Sequence, residues 1–521
     1  MKINKKLKVV LFLFFFLPSC TPLKKYHPPQ VQVEPTWKNQ SDQHLSNDAP
    51  SPLQIESSYC QAIELLNNWW EIFNDPLLNQ LQEESLKDNY DLKAAFQRVL
   101  QARNLAKMSR SLLYPEISFS PQYLRNQMLI LSPLSLSSLA NTNAATTDMP
   151  NQSSLPNSDL PNNVLRFLNS QYLLPFNFQY EVDLWNKLHS ASKAAYYREQ
   201  AVAQDYYQVL LSLTSALATH YFHLRDLDFQ YQIVTDTLQT RKKALEINLN
   251  REEVGMITHL DVSRAKVQVF NAESDLVEIQ RLRAVEQNII ATLTGRSACD
   301  SSFYLSFHPL KRTPPKIPIG FPSDILLRRP DILAAQNSLA AAYAEIGVAY
   351  ADFFPSLNLS IGLGLESPIT SLLFNWKARM WQVAASALQK VFDAGRTQAS
   401  VDLAKARFHE QINLYYEMVL KAFEEVENAL VNLKEYANQT KVLAESIKYA
   451  EQTRDLSYFR YHRGLVSYLD VTDAERELLQ ARQNYALAIG HRYFQTVKLV
   501  EALGGGWEIK QKTLNENECS N

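Results

Sequence analysis

Two hydrophobic periods follow one another along this chain, and the succession occurs twice. Ile117, Phe119 and Tyr123 are interleaved with Ser118, Ser120 and Gln122, and Phe176, Phe178, Tyr180 and Val182 with Asn177, Gln179 and Glu181. Further on, Leu357, Leu359, Ile361, Leu363 and Leu365 are interleaved with Asn358, Ser360, Gly362 and Gly364. A period of two predicts strands with one apolar and one polar face. A fourth strand is expected near Trp381 to Phe392, where the alternation is less clean. After each strand pair the spacing changes to three, four and seven. Leu213, Leu217, Tyr221, Leu224, Tyr231, Val234, Leu238 and Leu245 mark a coiled-coil-like seam within Lys187 to Glu253, a stretch with neither Pro nor Gly. Val419, Phe423, Val426, Leu430 and Leu433 mark its counterpart, from Thr397 to about His462. Gly255 and Gly464 predict a turn at the end of each stretch, with return helices to about Gly295 and Gly504. An earlier helix starts after Asp75-Pro76, where Asp caps and Pro suits the first turn, and stops at Tyr114-Pro115.

The two halves also repeat residues. Gly255-Met256-Ile257-Thr258-His259-Leu260-Asp261-Val262 matches Gly464-Leu465-Val466-Ser467-Tyr468-Leu469-Asp470-Val471 at Gly, Leu, Asp and Val. Tyr114-Pro115 returns as Phe354-Pro355, and Asp183 as Asp393. A duplicated chain of this kind usually builds one pseudo-symmetric body. The expected organisation is a signal peptide over 1–19, a tether and equatorial segment over 20–75, a first repeat over 76–295, a linker over 296–322, a second repeat over 323–503 and a tail over 504–521. Residues 132–163, rich in Ser, Asn, Thr and Pro, predict a long exposed loop between the first two strands.

The N-terminus carries an address. Lys2, Lys5, Lys6 and Lys8 precede the apolar run Val9 to Leu17, which suits an export signal and is too short to span a bilayer. Leu17-Pro18-Ser19-Cys20 resembles a lipoprotein cleavage box with Cys20 acylated; an ordinary signal peptide cleaved nearby is the alternative. Thr21, rather than Asp, after Cys20 points to outer-membrane sorting. Beyond this segment no apolar helix is long enough to cross a membrane, so any crossing must use strands. Two strands per half are too few for a sandwich with its own core. Their polar faces are also richer in Ser, Asn, Gln and Gly than in charge, as suits a wet lumen.

A net charge of −2 gives no nucleic-acid footprint. Cys60, Cys299 and Cys519 cannot all pair with one another, which excludes a disulfide scaffold and leaves one bridge open. No phosphate-cradling loop, nucleophile motif or zinc-protease motif is present, so an enzyme is not expected. His220, His223 and Asp226 share a helix face that could ligate a metal, but such a set is more often a solvated or lumen-facing stripe, and no metal is expected. Asp470 and Asp473 lie three apart beyond the second turn; in a rotationally symmetric oligomer they become rings of negative charge that favour cations.

Several blocks, in order, resemble one family. They are Trp69-Trp70-Glu71-Ile72-Phe73-Asn74-Asp75-Pro76, Arg328-Arg329-Pro330-Asp331, Phe353-Phe354-Pro355-Ser356-Leu357, Phe423-Glu424-Glu425-Val426-Glu427-Asn428-Ala429-Leu430 and Ala502-Leu503-Gly504-Gly505-Gly506-Trp507. The chain is similar, over nearly its whole mature length, to the TolC-like outer-membrane efflux proteins, in their lipoprotein branch. The resemblance implies a mainly α protein with a β-barrel part: a homotrimer whose strands close a twelve-stranded transmembrane barrel, continued by a long α-helical periplasmic barrel with a mixed equatorial domain. It implies passive conduction of drugs, metals or metabolites from an inner-membrane transporter, through a periplasmic adaptor (membrane fusion) protein, with no cofactor. Position by position, it implies that Leu469, Asp470 and Asp473 line a periplasmic gate, that Tyr461 and Asp261 form a hydrogen-bonded pair holding it shut, and that Gly255 and Gly464 mark adaptor-docking tips. Two features depart from the pattern: Asn186 stands where Gly is common, and Val466 where some relatives carry a basic latch residue. The alternatives are an exit duct for type I polypeptide secretion and a non-conducting trimeric coiled-coil lipoprotein.

Overall fold

The structure, a computed structural model, describes residues 26, 28–29, 36–38, 68–131, 164–310, 313–317 and 322–505. Cys20, Cys60, Cys519, the 1–19 signal, the 132–163 loop and Trp507 lie outside them. The described residues fall into two compact units.

The unit formed by residues 107–193 and 344–404 holds an antiparallel sheet. Its strands are β1 (Glu116–Phe119), β2 (Gln122–Leu131), β3 (Val164–Val182), β4 (Ser356–Ser367) and β5 (Arg379–Leu388). β1 and β2 both pair with β3 and share one register, from Phe119 opposite Phe176 to Gln122 opposite Leu173. They are one strand interrupted at Pro121, which has no N–H to give the ladder. β3 then pairs with β4 and β4 with β5, so each half contributes two strand positions. On the apolar face, Phe119 stacks on Phe176 with ring centroids 4.6 Å apart, and Tyr123 faces Tyr172 at 4.7 Å. Gly364, on the polar face, lies opposite Pro175, and a Cβ there would sit 2.4 Å from the Leu174 carbonyl oxygen.

The last strand is shorter than the alternation predicts. It ends at Leu388, and Phe392 lies beyond it, 89% exposed. The cause is local. The Asp393 carboxylate accepts the backbone N–H groups of Gly395 at 3.1 Å and Thr397 at 2.9 Å, starting the next helix and turning the chain. Asp183 does the same in the first half, accepting the His189 N–H at 2.8 Å. Asn186, with φ 58°, occupies the left-handed position that Gly395, with φ 83°, fills in the second half. Asn is among the few residues with a side chain that visit this region routinely, which accounts for that departure.

The other unit is helical. The expected first helix is two: α1 (Pro76–Asp88) and α2 (Tyr90–Ser111). Asn89 breaks them. Its side-chain oxygen accepts from the N–H groups of Asp91 and Leu92 to cap α2, while its amide donates to the Leu293 carbonyl at 2.9 Å. The seams lie on α3 (Lys187–Glu253) and α7 (Arg396–His462), of 67 residues each; both begin in the sheet unit. The return helices α4 (His259–Leu293) and α8 (Tyr468–Ala502) have 35 residues each. Between them in sequence stand α5 (Ile325–Arg328) and α6 (Pro330–Ala351).

The main core of this unit gathers Trp69, Trp70, Phe73, Leu78, Tyr221 and Tyr493, all buried. Asp75 caps α1 through the N–H groups of Leu77 and Leu78 and also accepts from the Tyr221 hydroxyl, which ties the aromatic N-terminal block to α3. Arg329, in the Arg-Arg-Pro-Asp block, donates to the Ala502 carbonyl at 2.9 Å and forms ion pairs with Asp331 and Glu425. The seam expected on α3 is buried through Leu213, Leu217, Tyr221, Leu224 and Val234. Among the described residues, no helix is long and apolar enough to cross a membrane.

Candidate functional site

Each long helix ends in the same turn. At the first, Met256 N–H bonds the Arg251 carbonyl at 2.8 Å and Gly255 N–H that of Glu252 at 2.8 Å. At the second, Leu465 N–H bonds Arg460 at 3.0 Å and Gly464 N–H bonds Tyr461 at 2.9 Å. This paired closure needs a left-handed residue, and Gly255 (φ 72°) and Gly464 (φ 71°) supply it. The tips are apolar and exposed at Val254, Met256, Leu260 and Leu465.

Just behind the tips, the two hairpins are joined by a cluster whose apolar part is Ala265, Tyr461, Tyr468 and Val471. Val466 packs against it as a half-buried hydrophobe. The polar part consists of Arg241, Asn248 and Arg251 from α3, facing Tyr458 and Tyr461 of α7 and Glu475 of α8. The Tyr461 hydroxyl donates to Asn248 Oδ1 at 3.3 Å, and the Arg251 guanidinium lies 5.4 Å from the Tyr461 ring centroid. The Tyr458 hydroxyl donates to Glu475, and Arg241 Nε stands 4.0 Å from the other Glu475 oxygen. Arg241 Nη1 donates to the Gln268 carbonyl at 2.9 Å. Burial pushes the Glu475 carboxyl and the Tyr461 hydroxyl up from their ordinary values. Among the described residues, Arg241 Nε, Asn248 Nδ2 and Glu475 Oε2 are buried without a hydrogen-bond partner. The Asn248 amide therefore opposes burial, whereas the Arg241–Glu475 ion pair and the apolar cluster oppose parting of the hairpins.

The expected site residues are distributed around this node. Leu469, the second residue of α8, is 46% exposed. Asp470 is also exposed, and its carboxylate closes a capping box, accepting from the Ser467 N–H at 3.0 Å and hydroxyl at 2.8 Å. Asp473 pairs with Arg476 at 2.8 Å. The Tyr461–Asp261 hydrogen bond is not the one found: Tyr461 turns to Asn248. Asp261 instead accepts from the Thr258 hydroxyl at 3.1 Å, as the third residue of α4, and acts on Tyr461 only through its charge. The Thr-x-x-Asp spacing at the helix start engages the carboxylate locally.

Arg241, Asn248 and Glu475 were not legible as site residues, because a polar helical residue is expected at the surface. Their signal was positional. Residues 234, 241, 244 and 248 continue the buried stripe of α3 at steps of seven, three and four, and at 241 and 248 that stripe carries polar residues.

The His220, His223 and Asp226 face is engaged within the helical unit. Both histidines bond Glu286 through Nδ1, at 2.9 and 2.8 Å. Burial alone would raise Glu286; the two histidine hydrogen bonds and their charges outweigh it and hold the carboxyl down to about 2. His223 is raised, chiefly by its hydrogen bond to Glu286. Asp226, almost wholly buried, accepts from Gln230 at 2.8 Å, and burial raises it to about 7. Among the described residues, no group of three His, Cys, Asp or Glu side chains is placed to hold a metal ion. Cys299 is a free, exposed thiol.

Strands with opposed faces, paired helical hairpins and a polar node behind their tips define a channel-forming architecture. The model of the family described as outer membrane efflux protein matches residues 81–296 and 321–505, and the chain belongs to that family. It is similar to the probable efflux pump outer membrane protein TtgC of Pseudomonas putida, 28% identical over 509 residues, which are 97% of this chain and 96% of the relative. It is also similar to the cation efflux system protein CusC of Escherichia coli, 28% identical over 470 residues, covering 88% and 94%. Among solved structures, the outer-membrane channel OprN superposes with a TM-score of 0.79 at 27% identity, covering 94% of this chain and 100% of that one. This protein is accordingly an outer-membrane efflux channel, in a family of transport channels rather than enzymes.

Proposed function

We propose that three copies of this chain close a twelve-stranded barrel in the outer membrane and continue it as a helical periplasmic tunnel. Through this tunnel small molecules pass from an inner-membrane transporter and a periplasmic adaptor to the exterior. The observation that carries this reading is the four-position sheet with one apolar face, one polar face and, among the described residues, two unpaired edges, at β1/β2 and β5. Closure by two further copies satisfies both edges and turns the apolar face to lipid. The equal lengths of α3 and α7, and of α4 and α8, support reading 76–295 and 323–503 as half-repeats joined by 296–322. Cys20 is the proposed lipid anchor, 20–75 the tether with its equatorial segment, and 504–521 an equatorial tail.

The periplasmic gate is assigned to Leu469, Asp470 and Asp473, with Tyr461 and Asn248 as the latch and Asp261 as a charge beside it. The Gly255 and Gly464 tips, with exposed apolar residues around them, are the adaptor-docking surface. Substrate choice is assigned to the transporter; the toluene and cation efflux in the relatives' names belong to those proteins. The channel is passive and carries out no chemistry.

The test is single-channel recording of the purified trimer in planar bilayers. Discrete conductance steps are expected. Block by multivalent cations from the periplasmic side should weaken when Asp470 and Asp473 are both replaced by Ala. A correctly assembled trimer with no conductance would overturn the channel reading, and unchanged cation block in the double variant would move the gate elsewhere.

A further inference from the structure

The sheet separates its charges by face. Residues paired directly across antiparallel strands point the same way, so the register assigns every strand residue to one of two sides. One side carries Phe176, Leu363 and Trp381 in one row and Phe178, Ile361 and Val383 in the next. The carboxylates Glu116, Glu181 and Glu366 all stand on the opposite, polar side. Arg125 and Arg379 do not. Arg379 is opposite Leu365, and Arg125 is opposite Ser170, two residues from the Tyr123–Tyr172 pair; both arginines stand on the apolar side. Both are exposed. Arg379 opens β5, at the end of the β3–β4–β5 ladder away from the strand ends that lead into α3 and α7, and Arg125 stands just past the last β3–β4 pair, Tyr172 opposite Ser367, on the part of the β2–β3 ladder that continues to Leu131 opposite Val164.

The turn between β4 and β5 completes this rim. Asn375 accepts the Lys377 N–H at 3.1 Å and fixes a short helical turn over Trp376–Ala378. That turn presents Trp376, 73% exposed, and the Arg379 guanidinium carbon sits 3.6 Å from the Trp376 ring centroid. Phe374, 81% exposed, and Lys377 flank them. The ten steps along β3 from Val182 to Tyr172 cover about 33 Å of strand. At a tilt of about 40° that is about 25 Å of height, the thickness of the apolar band of such barrels. The arginines therefore sit where hydrocarbon gives way to headgroups. A guanidinium braced on an indole is well suited to forked hydrogen bonding with phosphate oxygens, and Trp favours this boundary. A cation that served the lumen would stand on the side of the three glutamates.

We propose that Arg379, braced by Trp376, together with Arg125 forms a binding rim for a phosphate-bearing glycolipid of the outer leaflet. The proposal rests on the channel reading, which puts α3 and α7 on the periplasmic side and this end of the sheet at the cell exterior. The test uses the full-length trimer in nanodiscs, with bound lipid counted by native mass spectrometry. The probes are a bis-phosphorylated acylated glucosamine disaccharide, the same lipid with its phosphates removed, and phosphatidylglycerol. The trimer should retain the phosphorylated glycolipid at least about tenfold better than either of the others. That preference should disappear in R125A/R379A and fall only partly in R125K/R379K, which keeps the charge and loses the fork. Equal retention of the two glycolipids by the wild type overturns the proposal without any variant. Retention of phosphatidylglycerol equal to that of the phosphorylated glycolipid overturns the choice of lipid. A wild-type trimer that conducts but does not discriminate removes only the rim; one that neither assembles nor conducts removes the channel reading and the rim with it.

Discussion

Tyr461 and Asn248 meet at 3.3 Å across the two hairpins, and this contact can be separated from Asp261 by substitution. A neutral hydrogen bond of this kind contributes on the order of 1 kcal/mol, so its loss should shift the opening equilibrium by about fivefold per chain. Tyr461→Phe and Asn248→Ala should therefore raise basal open probability to a similar degree in single-channel recordings, and Asp261→Ala should raise it less. If Asp261→Ala matches the other two, the latch is the Tyr461–Asp261 pair after all. Asp226 gives a second test at this scale. Its folded-state carboxyl titrates at about 7, raised by burial, against an ordinary 3.8. Between those values the folded state keeps a proton that the unfolded chain releases. Stability from this group is therefore full below the unfolded value and lost as pH rises through the folded one, by a few kcal/mol in order of magnitude. Asp226→Asn should thus be more stable than the wild type at neutral pH. The difference in Tm between the two should grow from pH 4 to pH 7, read by circular dichroism of the detergent-solubilised protein. A difference that stays constant with pH would mean that Asp226 is ionised throughout.

At the scale of elements, the sheet depends on one close approach. A Cβ on Gly364 would lie 2.4 Å from the Leu174 carbonyl oxygen and 2.8 Å from the Pro175 Cα, both backbone atoms that no rotamer change can move aside. At Gly362, one pleat away, the nearest heavy atoms would be at 3.8 Å. Gly364→Ala should therefore cost about 1–3 kcal/mol, as overpacking does. It should lower the yield of heat-resistant oligomer on denaturing gels, while Gly362→Ala assembles normally. Equal yields would show that β3 and β4 can shift together. The helical elements follow a different logic. Their ends are set locally, by Asp393 and Asp183 at the starts of α7 and α3 and by Gly464 and Gly255 at their ends, so their limits were readable residue by residue. Asn89 was the exception. An Asn within an apolar period does not by itself signal a break; it became one because its amide reaches the Leu293 carbonyl, more than 200 positions away.

At the scale of the whole molecule, two kinds of information divide cleanly. Periodicity and local capping were enough for the two strand pairs, the two long seams with their glycine turns, and the resemblance to outer-membrane efflux proteins, because each depends on neighbours within a few residues in the chain. The apolar and polar faces of β3 and β4 were likewise legible from alternation alone. The alternation from Ile117 to Tyr123 already read as one strand; only the tertiary structure showed that it is interrupted at Pro121 and keeps one register on β3 across the interruption. It alone put Arg125 and Arg379 on the apolar face, because register is a property of two strands and a shift of one residue exchanges the faces. It also gave Tyr461 to Asn248, and buried Arg241 and Glu475 between the hairpins. A polar residue on a helix is placed at the surface by its own chemistry; what buries it is the arrival of a second hairpin, distant in sequence, on the same side.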